Sequence, residues 1–110
     1  MEYHVSVDDA RRRVSSAATL APAALLSNGG VSVEFYAPRG ADPQTPHARD
    51  ELYIVISGSA RFRCCCKDIS VGPGDVLTVP AHYEHRFFDI SDDFATWVVF
   101  HGPEVSQAAS

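Results

Sequence analysis

The sequence has no apolar run near the ~20 residues that a helix needs to cross a bilayer, which excludes a membrane-spanning helix. It has no surplus of positive charge either. The formal net charge is −5, and a nucleic-acid-binding face needs the opposite sign. The single basic run, Arg11 to Arg13, follows Asp8 and Asp9 and reads as the solvated side of a short helix. No stretch resembles a DNA-reading helix-turn-helix. No cysteines stand at C-x-x-C spacing, so a zinc knuckle is excluded. Cys64, Cys65 and Cys66 are contiguous and odd in number, which argues against a structural disulfide framework. A reducing, cytoplasmic setting is therefore the expectation. Arg11 to Arg13 and the VSSAATLAPAALL after them imitate a secretory signal, but Glu2, Asp8 and Asp9 upstream and Pro22 within the run argue against export. There is no internal repeat and no low-complexity tract.

What is present suits one globular core: 110 residues, 45% of them apolar, build a single core but not two. Residues 1–7 (MEYHVSV) alternate weakly and read as a short edge strand. Ser6 or Asp8 caps a short helix over residues 9–16, with Ala10 and Val14 as its apolar contacts. The stretch from there to Leu26 is open between a loop and a broken helix, Pro22 deciding against a continuous one. Asn28-Gly29-Gly30 signals a turn into a strand over residues 31–37, with Val31, Val33 and Phe35 as its buried face. Residues 38–46 hold a glycine and three prolines and read as an ordered loop. Short strands follow over residues 51–57, 60–66, 69–71, 76–79, 85–90 and 94–101, separated by turn residues. So many short strands predict an all-β antiparallel sandwich or barrel. The chain divides into an N-terminal part (1–30) packed on the barrel, the barrel itself (31–103) and a flexible tail (104–110).

Residues 45–58 (TPHARDELYIVISG) carry the chemistry. His47 and Glu51 stand four apart, ahead of a run (LYIVI) that is apolar on both alternating faces, as in a strand buried on both sides. Residues of equal parity share a face, so His47, Glu51, Tyr53 and Val55 look the same way. A second imidazole, His85, opens another apolar run within VPAHYEHRF. Two imidazoles and a carboxylate inside a β structure suit a divalent metal. The competing reading pairs Glu51 with Arg49 or Arg86 and leaves both histidines as satisfied polar groups at the barrel mouth. A carboxylate facing an apolar interior is costly unless paired or metal-bound, which favours the metal. His82, three residues before His85, offers a further imidazole from a loop at the same end. His4 and His101 have no partner pattern.

Together the two segments resemble the cupin family, the small double-sheet jelly rolls. Its first motif is G-x5-H-x-H-x3,4-E-x6-G. His47 falls at the second histidine, Glu51 at the glutamate and Gly58 at the closing glycine. Its second motif is G-x5-P-x-G-x2-H-x3-N, matched by Gly74, Pro80, His85 and, at the Asn place, Asp89. Thr45 replaces the first histidine, Gly40 is one residue nearer than the pattern asks, and His82 replaces a glycine. The resemblance spans about residues 31–101. It implies a double-stranded β-helix, or jelly-roll barrel, with a short N-terminal helix.

The resemblance also implies a metal held by His47, Glu51 and His85, with Thr45 and His82 as possible additions. Iron, zinc, nickel, manganese or copper would suit that set. It is compatible with dioxygenase or isomerase/lyase chemistry on a small organic molecule. Glu51, His82 and Tyr83 are then candidates for proton transfer. A non-catalytic small-ligand sensor and a structural dimer with a degenerate site stay open, because one scaffold hosts many functions.

Tyr53, Phe62, Phe87, Val98 and Phe100 are expected to line the cavity around the metal. Leu52, Ile54 and Ile56 form an apolar outer face that, uncovered by a helix, would make a homodimer. By strand alternation Cys64 and Cys66 share one face and Cys65 the other. They read as small, partly buried hydrophobes, with Lys67 favouring a thiolate at any exposed one.

Overall fold

The computed structural model describes residues 3–16 and 24–106. Residues 1–2, the segment with Pro22 and the tail beyond 106 lie outside the described residues, so the readings placed there do too. In chain order the elements are α1 (Val7–Ser16), β1 (Leu26–Asn28), β2 (Val31–Tyr36), β3 (Asp50–Ser57), β4 (Ala60–Cys64), β5 (Lys67–Val71), β6 (Val76–Val79), β7 (His85–Phe88) and β8 (Ala95–His101). All pairings are antiparallel. They build a five-stranded sheet ordered β1-β2-β8-β3-β6 and a three-stranded sheet ordered β5-β4-β7. The expected double-sheet jelly roll is what forms.

The core lies between the sheets. Tyr53 and Val55 of β3, Phe62 of β4, Phe87 of β7 and Val98 of β8 are buried there with Val71, Val79 and Phe94. Phe87 is its hub, with ring centroids 5.0 Å from Tyr53, 4.8 Å from Phe62 and 4.9 Å from Phe94. Truncating such a ring costs about 3–5 kcal/mol. Gly58 closes the β3–β4 hairpin at φ +73°, and a Cβ there would lie 2.6 Å from the Phe94 backbone. Only glycine fits.

The helix sits outside the larger sheet. Ser6 Oγ accepts the Asp9 backbone N–H at 3.1 Å, the N-cap expected of it. Ala10 is fully buried against Phe35 and Ala95, with Val5, Ile56 and Trp97 around them. Two local expectations are corrected. Residues 3–6 form no strand, and Leu26–Asn28 is a strand that pairs with β2 across the Gly29–Gly30 turn. In β2 the apolar set faces outward: Phe35 packs under α1 while Tyr36 packs on the barrel core. By alternation Ser32 and Glu34 share the side of Tyr36. The helix supplies the apolar cover outside, which leaves the interior side free to carry polar groups.

The cysteine alternation fails for a different reason. Cys65 and Cys66 are the two turn residues between β4 and β5, both with positive φ (57° and 64°). No strand parity applies to them.

Candidate metal centre

Two chain segments bring three side chains together at one end of the interior. Glu51 belongs to β3 and faces inward with Tyr53 and Val55, its side chain only 1% exposed. His85 opens β7 opposite Cys64 of β4 and is equally buried. His47 comes from the loop before β3, yet its ring reaches the same point, edge-on to Phe100 at 5.1 Å. Nε2 of His85 and Nε2 of His47 lie 3.2 Å and 3.8 Å from Glu51 Oε1. The three donor atoms all lie within 4.8 Å of one another. Neighbouring donors bound about 2.0–2.2 Å from one ion stand roughly 3.0–3.6 Å apart; His85 and Glu51 already have that spacing, and His47 would draw in by a few tenths of an ångström or more to share the ion.

One orphaned atom tests the fit. Nδ1 of His85 lies 2.9 Å from the Tyr83 carbonyl oxygen, which can only accept. Nδ1 therefore carries a ring proton, and Nε2 is the position left for a second proton or a metal ion. That Nε2 is buried with no hydrogen-bond partner, although Glu51 Oε1 is its near neighbour. The neutral ring would set this lone pair against the carboxylate, a repulsion that a cation placed between them relieves. The residues fit a divalent ion.

The surroundings are anionic. Burial pushes the Glu51 carboxyl above the ordinary carboxylate range, the His85 ring and the Tyr53 hydroxyl pull it back, and Glu34 and Asp42 add to the rise. Burial raises Glu34 as well. Burial and the neighbouring His85 ring lower the His47 imidazole, keeping it neutral and able to ligate. The Tyr53 hydroxyl lies 3.0 Å from Glu51 Oε2 and 3.1 Å from Gln44 Oε1, and donates its single proton to one of them at a time. The arginine pairings do not form. Arg49 donates to the carbonyls of Gly102 and Gly30, and Arg86 is an exposed residue of β7.

The other candidates are dispersed. Thr45 is exposed at the mouth of a cleft of about 710 Å³ that reaches His85. His82 turns away: its ring contacts the Val105 carbonyl, and its backbone N–H donates to the His47 carbonyl at 2.7 Å. The Tyr83 ring is exposed in the cleft wall, while its carbonyl orients His85. Asp89, at φ 49°, follows β7 on the surface. Of the expected pocket set, Tyr53, Phe62, Phe87 and Val98 are buried core. Tyr53 and Phe62 pack their rings against His85 at 6.0 Å and 6.2 Å, and Phe100 meets His47 from the half-buried rim. The cleft is lined instead by Gln44, Thr45, Pro46, Arg63, the three cysteines, and Tyr83 to Arg86. The Cys64 thiol is pushed up to about 11 by burial and by the Cys65 thiol, whose Sγ is 3.3 Å away.

Sequence reasoning missed Asp42, Gln44 and Glu34. Asp42 is buried, and its carboxylate accepts the backbone N–H of Phe87 at 2.9 Å, the backbone N–H of Gln44 at 3.1 Å, the Gln44 amide at 3.0 Å and the Tyr36 hydroxyl. An aspartate bonding the backbone two residues on is an Asx-turn, and Asp42-Pro43 was its visible signal. Its burial was not visible.

A model of the cupin domain matches residues 32–101. The chain belongs to the cupin family. An uncharacterized protein of Streptomyces coelicolor is 41% identical to this cupin over 81 residues, 72% of this chain and 77% of that one. A Rhizobium leguminosarum protein of unknown function superposes with a TM-score of 0.74 at 18% identity, covering 94% of this chain and 99% of the other. The DMSP lyase DddQ of Ruegeria pomeroyi superposes with a TM-score of 0.62 at 21% identity, over 81% of this cupin and 49% of that chain. At these identities the two structures share the fold. No helix among the described residues is long and apolar enough to cross a membrane.

Proposed function

We propose that this cupin binds a divalent metal through His47, Glu51 and His85 and acts on a small organic molecule in the cleft above it. The buried, unpartnered Nε2 of His85 beside the Glu51 carboxylate carries this reading. A bound ion would act as a Lewis acid toward substrate oxygens or support dioxygen chemistry, so isomerase/lyase and dioxygenase reactions are the classes to test. His85 and His47 hold and orient, Tyr53 steadies one Glu51 oxygen, and the apolar core beneath keeps water from entering below. Tyr83, exposed in the cleft wall, is a proton-transfer candidate. That one neighbouring fold is a lyase supports placing lyase chemistry in the first panel.

Under the same proposal the protein is a cytoplasmic homodimer with no nucleic-acid or membrane partner. Its three cysteines are free thiols, as a reducing compartment requires. Ile56 lies in the cluster under α1, so the self-association face narrows to Leu52 and Ile54 with Val33 and Val99 beside them, all half-buried.

Elemental analysis after anaerobic purification, and melting with added Fe²⁺, Zn²⁺, Mn²⁺ or Ni²⁺, test the metal. The wild type is expected to hold near-stoichiometric metal, and His47→Ala with Glu51→Ala to hold none. Metal in neither protein, with no metal-induced rise in Tm, would sink the reading. Turnover of small organic acids and diketones, with and without oxygen uptake, then separates an enzyme from a binding module.

A further inference from the structure

The chain lacks the imidazole that Thr45 replaces, yet another donor stands beside the three ligands. Gln44 Oε1 lies 3.5 Å from His47 Nε2 and 3.1 Å from the Tyr53 hydroxyl. An amide side chain has two chemically different ends, and here the choice is made for it. Gln44 Nε2 donates to Asp42 Oδ2 at 3.0 Å, and its backbone N–H donates to Asp42 Oδ1 at 3.1 Å. Asp42 is itself 3% exposed and held by the Phe87 backbone and the Tyr36 hydroxyl. A carboxylate only accepts, so the NH₂ end must face Asp42 and the carbonyl end must face His47 and Tyr53. Thr45, the next residue, is exposed.

We propose that the Gln44 amide oxygen is a further protein ligand of the metal held by His47, Glu51 and His85, and that Asp42 is the positioning residue that turns that oxygen inward. This inference rests on the reading of the site as a metal centre. The spacing is that of neighbouring donors on one ion: 3.5 Å from Gln44 Oε1 to His47 Nε2, against 3.8 Å from His47 to Glu51. Without metal the oxygen is satisfied by a proton from Tyr53 or His47. With metal, the Tyr53 proton is free to stay on Glu51 Oε2. The donor set becomes two nitrogens and two oxygens, one of them neutral. Oxygen donors favour the harder divalent ions, so the set suits Mn²⁺, Fe²⁺ or Co²⁺ better than a three-imidazole site would.

Co²⁺ is the probe, because its visible spectrum reads its ligand field without any turnover. Calorimetric titration and absorption spectra are compared for wild type, Gln44→Ala, Gln44→Glu, Asp42→Asn, those last two combined, and Thr45→Ala, each with its Tm measured first. Gln44→Ala is expected to weaken Co²⁺ at least tenfold and to change the visible bands. Gln44→Glu keeps an oxygen toward the metal but sets its other oxygen against Asp42, so it restores binding only when combined with Asp42→Asn, whose amide can donate to it. Asp42→Asn weakens it while leaving Gln44 present, and Thr45→Ala binds as wild type does. A Gln44→Ala protein that binds Co²⁺ within twofold of wild type, with the same spectrum, overturns the role of Gln44. A loss of affinity on Thr45→Ala equal to that on Gln44→Ala overturns it too. If the wild type binds no Co²⁺, the metal reading itself fails, and the wild-type titration alone shows that.

Discussion

Glu51 is held in a state that the metal-free protein would be better without. Burial lifts its carboxyl above the ordinary range, near 4.3 for an unfolded glutamate. The sign follows: the folded state holds its proton more tightly than the unfolded chain does. This contribution to stability is present below the unfolded value and is lost as pH rises through the raised folded one. Glu51→Gln removes that loss, and the new amide can donate to His85 Nε2, the orphaned neighbour at 3.2 Å. In chelator the variant is expected to be more stable than wild type by about 1–3 kcal/mol near pH 7, with the gap closing toward pH 4. In Zn²⁺ the order reverses, because the amide is the poorer ligand. Thermal melts at both pH values, with and without metal, check it. A variant less stable than wild type in chelator at pH 7 would mean that the carboxylate is already well compensated.

At the scale of elements, the β4–β5 hairpin is the least economical piece of backbone. Its turn needs positive φ at both central positions, the signature of a type I′ turn, for which Asn-Gly is preferred. Here the residues are Cys65 and Cys66. Left-handed backbone costs an ordinary side chain roughly 1–2 kcal/mol per residue. Cys65→Asn with Cys66→Gly is expected to raise stability by about 1–2 kcal/mol and Tm by roughly 5–10 °C, as read by a denaturation curve in reductant. An unchanged Tm would show that the thiols recover the cost elsewhere.

The same hairpin marks where sequence reasoning ends. Residues 60–66 alternate as a strand would, and three identical residues do not say where the strand stops and the turn begins. β3 was legible because Leu52 and Ile54 alternate with Tyr53 and Val55, so either face reads as buried. His47, Glu51 and His85 were legible from spacing. Alternation in β2 shows an apolar side but not what covers it, which is a helix, while its polar side looks into the barrel. His82 and Gln44 are both loop residues next to the site. Only the hydrogen bonds to Val105 and Asp42 decide which of them turns inward.

For the whole molecule, the two faces of the larger sheet have different fates. The inner face is closed by the smaller sheet. The outer face is covered by α1 around Phe35, Ile56 and Trp97, while Val33, Val99 and Leu52 form a register-matched row beyond that cluster. Light scattering is expected to give twice the 11.9 kDa chain mass, and Leu52→Glu to halve it without lowering metal content. A wild-type mass of one chain at micromolar concentration would remove the dimer and leave the metal centre standing.

The order of that sheet also governs how the molecule comes into being. β8 is its middle strand, bonded to β2 and to β3. A chain still being synthesised has no β2–β3 contact to fall back on, since those strands meet only through residues 95–101. His47 and Glu51 precede that strand by 48 and 44 residues, and His85 by ten. Barrel closure must wait for long-range pairing, which makes it slow relative to local structure. His47 and Glu51 therefore leave the ribosome well before their shelter does, and His85 nearly together with it. Any ion bound as proposed would be selected against the cell's exchangeable metals by a site that takes shape only after translation has passed residue 101.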